Sequence, residues 1–210
     1  MGHLGEDNIK KLAKMAEGMK IKVGTSVRVC EACMLGKQTW QPSHNSATRA
    51  NEPLELVHSD LCGPITPTTF GGAKYYILFV DDFTRMMHIY PLKGKTTAEV
   101  LERFKEYKAE VEKQTGNEIK RSRTNGGSEY QKWVSAYLKQ VGVVHETTAP
   151  YSPEQKGVAE QANLMVMERV KGILAEHKLD KRLWMEIANM VVYLKNCSLT
   201  SVVATMPYEL

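Results

Sequence analysis

Two acidic residues, Asp60 and Glu160, lie where a predicted strand and a predicted helix can bring carboxylates together. Asp60 is inside an apolar, strand-like stretch, and Glu160 is early in a long helical stretch. A carboxylate in a central strand is costly to bury unless it is paired or bound to a metal. Phosphoryl-transfer enzymes hold two divalent ions about 4 Å apart between converging carboxylates, and Mg²⁺ prefers such oxygen ligands. Position alone also leaves a non-catalytic interpretation open for each residue: Asp60 as an aspartate at the sheet edge and Glu160 as a solvated glutamate on the helix surface.

The chain has four cysteines, of which Cys30 and Cys33 form a C-x-x-C pair. A structural zinc site needs four nitrogen or sulfur ligands in tetrahedral geometry, and such a pair supplies two of them. His3 is the upstream histidine that can add a third, so the sequence predicts an incomplete zinc site, with a pair of reduced surface cysteines as the alternative. Cys62 and Cys197 stand alone and are expected to be buried as small hydrophobic residues.

The net charge of +4 is concentrated at the front of the chain. Residues 1–50 carry eight Lys or Arg and four Asp or Glu, whereas the remaining 160 residues carry 20 of each sign. A basic front end favours a polyanionic partner such as nucleic acid, and a solvated basic surface is the alternative. The chain shows neither a membrane-length apolar stretch nor a secretory signal. We therefore expect a nuclear or cytoplasmic protein without a membrane partner.

The spacing of apolar residues predicts the elements that position these side chains. Short apolar runs indicate strands, and a 3.6-residue period indicates helices. Thr96 and Gly116 fit the capping box and the stop of the first helix in this region. The order β-β-β-α-β-α-β-α-α predicts a mixed α/β sheet with helices on its faces. The predicted strands are 54–62, 75–80, 86–92, 119–122 and 143–147, and the later helices are 129–140, about 154–177 and about 181–197.

Several ordered motifs resemble the integrase core of copia-type retrotransposons, a branch of the retroviral integrase superfamily. They are HSDLCGP at 58–64, YYILFVDDFTR at 75–85 and PYSPEQKGVAE at 150–160. The strings at 2–5 and 30–37 resemble the pre-integrase zinc segment of that family. The resemblance divides the chain into a truncated zinc-binding-like segment (1–40), a polar linker (41–53) and an integrase catalytic core (54–210).

The resemblance implies an RNase H-like fold with a five-stranded mixed sheet and flanking helices. It implies an Asp, Asp, Glu triad that binds Mg²⁺ or Mn²⁺, with Asp60 as the first member and Glu160 as the last. The second Asp position falls in the string RTNGG and is occupied by Asn125, 35 residues before Glu160. An amide offers one neutral oxygen to a metal and no charge, so we expect weakened metal binding and impaired activity.

The resemblance also implies processing of element cDNA ends and strand transfer into target DNA by a homo-oligomer. Lys156, Asn163 and Lys171 lie on the long helix expected to face nucleic acid. The family usually has Asn at position 156 and basic residues at the positions of Gln161 and Leu164. Fewer contacts to the phosphate backbone are therefore expected along this helix.

Two other functions remain compatible with the sequence. One is a non-catalytic protein that binds nucleic acid or another partner with the same fold. The other is a different nuclease of the RNase H-like superfamily, because fold alone does not define function. Cleavage or joining of DNA ends that depends on a divalent metal separates an integrase from the non-catalytic alternative.

Overall fold

The computed structural model describes residues 49–124, 133–147, 153–200 and 205–210. For Trp133 and residues 153–156 it describes the backbone alone. The predicted zinc ligands His3, Cys30 and Cys33 lie outside the described residues, and so does Asn125. The predicted segment 1–40 and residues 41–48 of the predicted linker 41–53 lie outside them too.

Within the described residues, five strands form one mixed sheet in the order β3-β2-β1-β4-β5. The first three strands pair antiparallel, whereas β4 and β5 join β1 in parallel. The predicted order of strands and helices is confirmed over the described residues. The strands are β1 (Leu56–Cys62), β2 (Tyr75–Asp81), β3 (Met87–Leu92), β4 (Arg121–Thr124) and β5 (Val144–Thr147).

In the described part of the chain, four α-helices cover the two faces of the sheet. They are α1 (Thr97–Thr115), α2 (Trp133–Gln140), α3 (Pro153–Glu176) and α4 (Trp184–Asn196). Both predicted ends of α1 are confirmed, because the Thr96 side chain accepts a hydrogen bond from the Glu99 backbone N–H and Gly116 adopts a left-handed φ of 73°. Single 3-10 turns occupy Lys181–Leu183 and Pro207–Glu209. Among the described helices, none combines the length and the apolar character needed to span a membrane.

Several predicted boundaries were wrong by two or three residues, and two of them have a local reason. Strand β4 begins at Arg121 rather than at Ile119, because the backbone N–H of Ile119 donates to a side-chain oxygen of Glu112 at the end of α1. The last helix begins at Trp184 rather than near Lys181. Its predicted first turn is the 3-10 turn, which the Asp180 side chain caps by accepting a hydrogen bond from the backbone N–H of Arg182.

The alternating side chains of β2 supply two hydrophobic cores, one on each face of the sheet. On the α1 and α2 face, the Phe79 ring stacks on Tyr107 with 4.4 Å between ring centroids. On the α3 and α4 face, Tyr76 packs beside Trp184, with 6.2 Å between centroids. The central strand β1 is thus covered on both sides, and its polar residues lie where burial is expensive.

The turn that ends β2 fastens the incoming chain to this core. Asp82 accepts hydrogen bonds from the Ala50 backbone N–H at 2.7 Å and from His58 Nε2 at 3.1 Å, and it forms an ion pair with Arg85. Asp81 accepts a hydrogen bond from the Leu54 backbone N–H at 2.9 Å. Burial alone would raise the pKa of Asp82, but the His58 and Ala50 hydrogen bonds and the Arg85 charge lower it to about 2.

Candidate active site

Asp60 lies near the end of β1 on the face that carries α3 and α4. It pairs across β1 and β2 with Leu78, which belongs to the core of that face. Asp60 is only partly buried, so part of the residue is accessible to solvent. On the parallel side, Ser59 pairs with Thr124, the last described residue of β4. In sequence, Asp60 and Asn125 are the residues that follow this pair.

Helix α3 brings a second polar residue onto Asp60. The Asn163 side-chain N–H donates to a carboxylate oxygen of Asp60, with 2.9 Å between Nδ2 and Oδ2. Asn163 is only 7% exposed. Glu160 is exposed one helical turn earlier, and residues three apart lie on the same side of a helix. The hydrogen bond therefore places the helical turn that carries Glu160 beside the strand that carries Asp60.

The oxygen atoms around this contact fit a hard divalent cation. Asp60 supplies a carboxylate, and Asn163 Oδ1 is buried without a hydrogen-bond partner among the described residues. Oxygen ligands of this kind suit Mg²⁺ or Mn²⁺ and not a thiolate-preferring metal. Within the described ranges, no group of three or more His, Cys, Asp or Glu residues forms a complete metal site. Position 125, which would supply the third member, is not among those residues.

Cys62 and Lys171 lie at the edge of the same site. Burial raises the pKa of the Cys62 thiol, the nearby Asp60 carboxylate raises it further and the Lys171 ammonium lowers it. Cys62 and Cys197 are free thiols, yet both are only partly buried, so the prediction that they are buried was wrong. Cys62 is the last residue of β1, and a strand end is less covered than its middle.

The remaining predicted nucleic-acid ligands take different positions on α3. Lys171 is exposed eight residues after Asn163, and Lys156 lies in the first turn of the helix, described by its backbone alone. The amide N–H of Asn163 contacts Asp60, and the predicted contact of Asn163 with nucleic acid stays a prediction. The three-residue spacing between Glu160 and Asn163 could have indicated a shared face. The sequence carried no signal for the partner strand.

Comparison with known proteins gives this geometry a family. A sequence profile described as "Integrase core domain" matches residues 50–153. The chain belongs to the integrase core family. Integrase core domains generally use divalent metal ions and act on DNA, in keeping with the oxygen-rich site at Asp60. The matched residues include all five strands of the sheet.

Curated relatives of this integrase core are retrotransposon polyproteins. The chain is 38% identical over 199 residues to the "Retrovirus-related Pol polyprotein from transposon TNT 1-94" of Nicotiana tabacum, covering 94% of this chain and 15% of that protein. It is 32% identical over 168 residues to the RE2 polyprotein of Arabidopsis thaliana, covering 80% of this chain and 11% of the relative. The predicted resemblance to copia-type integrases is confirmed, and the chain spans a small part of these relatives.

A solved structure confirms the RNase H-like fold. It is a cryo-EM structure of a simian T-cell lymphotropic virus intasome in complex with a PP2A regulatory subunit, B56 gamma. The TM-score is 0.65 at 16% identity, with 86% of this chain and 62% of the matched chain covered. At this identity the likeness concerns the integrase fold and not the details of the site.

Proposed function

We propose that this integrase core processes the ends of element cDNA and transfers them into target DNA, and that Asn125 impairs this activity. The hydrogen bond between Asn163 and Asp60 is the observation that supports a catalytic site at this end of the sheet. It joins the strand that carries the first predicted triad residue to the helix that carries the last. Burying a polar group costs free energy unless it is hydrogen-bonded, so this bond allows the two polar side chains to meet inside the fold.

The residues of the proposed site have separable roles. Asp60 and Glu160 would hold Mg²⁺ or Mn²⁺, and Asn163 fixes the orientation of the Asp60 carboxylate through its side-chain N–H. When bound, the divalent ions supply activation of the attacking oxygen and stabilisation of the leaving oxygen. The exposed ammonium of Lys171 lies close enough to influence the Cys62 thiol at the end of β1, so it is placed to attract a phosphate group.

The neutral amide of Asn125 reduces the negative charge available to the metals. Two divalent ions about 4 Å apart repel each other strongly, and converging carboxylates offset that repulsion. With Asn in place of Asp, the site has one negative charge fewer, so we expect at least one ion to bind weakly. A non-catalytic DNA-binding role is the second candidate, and Asn125 is the observation that favours it.

The DNA partner and the homo-oligomeric state extend the same proposal. The excess of basic residues in 1–50 and the lysines of α3 suit the phosphate backbones of element ends and target DNA.

A zinc-stabilised front segment that uses His3, Cys30 and Cys33 remains part of the proposal. Chelation followed by measurement of released zinc tests it directly, and zinc-free protein would contradict it.

The Asn125→Asp variant tests the proposed activity. Restoring the carboxylate should produce Mn²⁺-dependent cleavage of duplex DNA ends that the parent chain performs at least about a hundredfold more slowly, since a lost ligand charge costs several kcal/mol in the transition state. Cleavage is measured on labelled duplex ends with a titration of Mn²⁺. Asn117→Asp, which adds the same charge at an exposed position after α1, is the matched control. A folded Asn125→Asp protein as inactive as its parent would favour the non-catalytic role.

A further inference from the structure

The imidazole of His145 joins three elements at the proposed catalytic end of the sheet. His145 lies on β5, and its Nδ1 is 2.6 Å from the Ser135 hydroxyl of α2. Its Nε2 is 2.9 Å from the Thr124 hydroxyl at the end of β4. Thr124 is only 2% exposed. One side chain thus holds both elements that flank the segment 125–132 in sequence.

The chemistry of this contact suits a neutral ring. A neutral imidazole has one N–H donor and one acceptor nitrogen, and each hydroxyl can play either part. Burial lowers the pKa of His145, which favours the neutral form at pH 7. Both ring nitrogens are therefore satisfied without a charge, and the ring is held in one orientation. A ring fixed at both nitrogens constrains its partners more than a single hydrogen bond does.

The contact is placed behind the proposed metal site. Thr124 pairs with Ser59 in the parallel register, and neighbouring residues of a strand point to opposite faces. The Thr124 and Ser59 side chains therefore lie on the α1 and α2 face, whereas Asp60 lies on the α3 and α4 face. His145 acts on the backbone that precedes position 125 and does not reach the site itself.

We propose that His145 is a positioning residue, which fixes the end of β4 through Thr124 and thereby sets the affinity of the site for divalent metal. The inference rests on the proposed function, because it assigns a metal role to the residue after Thr124. Partners that orient metal ligands without touching the ion typically change the metal affinity by about 10- to 100-fold. The bond to Ser135 fixes α2 and not β4. We therefore expect loss of the Thr124 bond to weaken metal binding and loss of the Ser135 bond to leave it nearly unchanged.

Two amide substitutions separate these bonds. In His145→Gln, the longer side chain carries its amide to the place of Nε2 and keeps a partner for Thr124. In His145→Asn, the shorter side chain carries its amide to the place of Nδ1 and keeps a partner for Ser135. Both are introduced into the Asn125→Asp chain, where the full set of carboxylates is present. Binding of Mn²⁺ alone is measured by calorimetry, together with the melting temperature of each variant.

The proposal predicts a difference between the two variants. His145→Asn should weaken Mn²⁺ binding by about tenfold or more relative to His145→Gln, with similar melting temperatures. Thr124→Val, which removes only the hydroxyl partner, should match His145→Asn. Equal Mn²⁺ affinities in the Gln and Asn variants would overturn the proposal, because a purely structural histidine would affect both through stability alone.

A second measurement distinguishes failure of this proposal from failure of the proposed function. Amide hydrogen exchange at Thr124 in the parent chain, without metal, should be faster in His145→Asn than in His145→Gln. Equal exchange rates overturn the positioning role whatever the metal data show. If Mn²⁺ binds no form of the chain while the exchange rates differ, the metal-dependent function fails, and the role of His145 in metal affinity fails with it.

Discussion

At the scale of single residues, the feature that defines the site is an amide facing a carboxylate. Asn163 is buried and gives its N–H to Asp60, whereas its carbonyl oxygen has no partner among the described residues. A buried polar atom left without a partner carries a free-energy cost of about 1–3 kcal/mol. Such an atom beside a carboxylate is expected where a cation or its water completes the site.

The Asn163→Asp variant turns this contact into a test. A buried and a partly buried carboxylate would then face each other, so the free energy of unfolding at pH 7 should fall by about 1–3 kcal/mol. Added Mn²⁺ should raise the melting temperature of this variant more than that of the parent, because a cation offsets the repulsion. Asn196→Asp is the matched control, since Asn196 is equally buried but bonds the backbone of Met87. Recovery of that control by Mn²⁺ would contradict a specific site at Asp60.

At the scale of elements, the sequence predicted the strands and helices well and their contacts poorly. The apolar run of β2 and the capped period of α1 are local patterns, and both were read correctly. The start of β4 depends on the hydrogen bond that the Ile119 backbone N–H donates to the Glu112 side chain, which no periodicity reveals. The links from Asp60 to Asn163 and from His145 to Thr124 join distant parts of the chain. Such pairings arise from the tertiary fold, so a single sequence carries no local signal for them.

The lowered pKa of Asp82 should make the stability of the chain depend on pH. Its pKa is lowered to about 2 in the folded chain, so the stabilisation is present above the ordinary pKa of an aspartate and is lost as pH falls through about 2. Asp82→Asn should lower the free energy of unfolding by about 2 kcal/mol at pH 7. The difference from the parent should shrink between pH 4 and pH 2 in urea titrations. Asp180→Asn is the control, because the exposed Asp180–Arg182 pair contributes little. A pH-independent difference would show that the charge of Asp82 is unimportant.

The turn after β1 requires glycine at position 63, so we expect the stability of the chain to depend strongly on it. Gly63 has a φ of 135°, and an added Cβ would lie 2.6 Å from a ring carbon of Tyr75 and 2.7 Å from the Lys74 carbonyl oxygen. Backbone strain alone costs about 1–3 kcal/mol. Because the added Cβ also clashes, Gly63→Ala should lower the free energy of unfolding by more than that. Gly116→Ala is the matched control, since its φ is also positive but nothing lies within 4 Å. Equal melting temperatures for the two variants would contradict the steric argument.

At the scale of the whole molecule, one strand connects two cores. Phe79 packs against Phe104 and Tyr107 on one face of the sheet, and its neighbours on β2 pack against α3 and α4 on the other. Because both cores use the same backbone, loss of one should weaken the other. The site at Asp60 lies on the central strand of this arrangement and depends on both cores.

Phe79→Ala tests this coupling. Removal of the buried ring should cost about 3–5 kcal/mol in the free energy of unfolding. Amide exchange measured in α1 and in α4 should accelerate by the same factor if the domain unfolds as one unit. Tyr90→Phe, which keeps its ring and loses a hydroxyl bonded to Glu110 at the surface, serves as the mild control. Acceleration confined to α1 would show that the two cores unfold separately.

The bond between Asp60 and Asn163 spans 103 positions of the chain, and this separation has a consequence for synthesis. A ribosome adds roughly 5–20 residues each second, so Asn163 is synthesised on the order of ten seconds after Asp60. All five strands precede that partner. A nascent chain that has completed its sheet therefore still lacks the site. Capture of a divalent ion by stalled chains of increasing length should begin only once α3 has emerged.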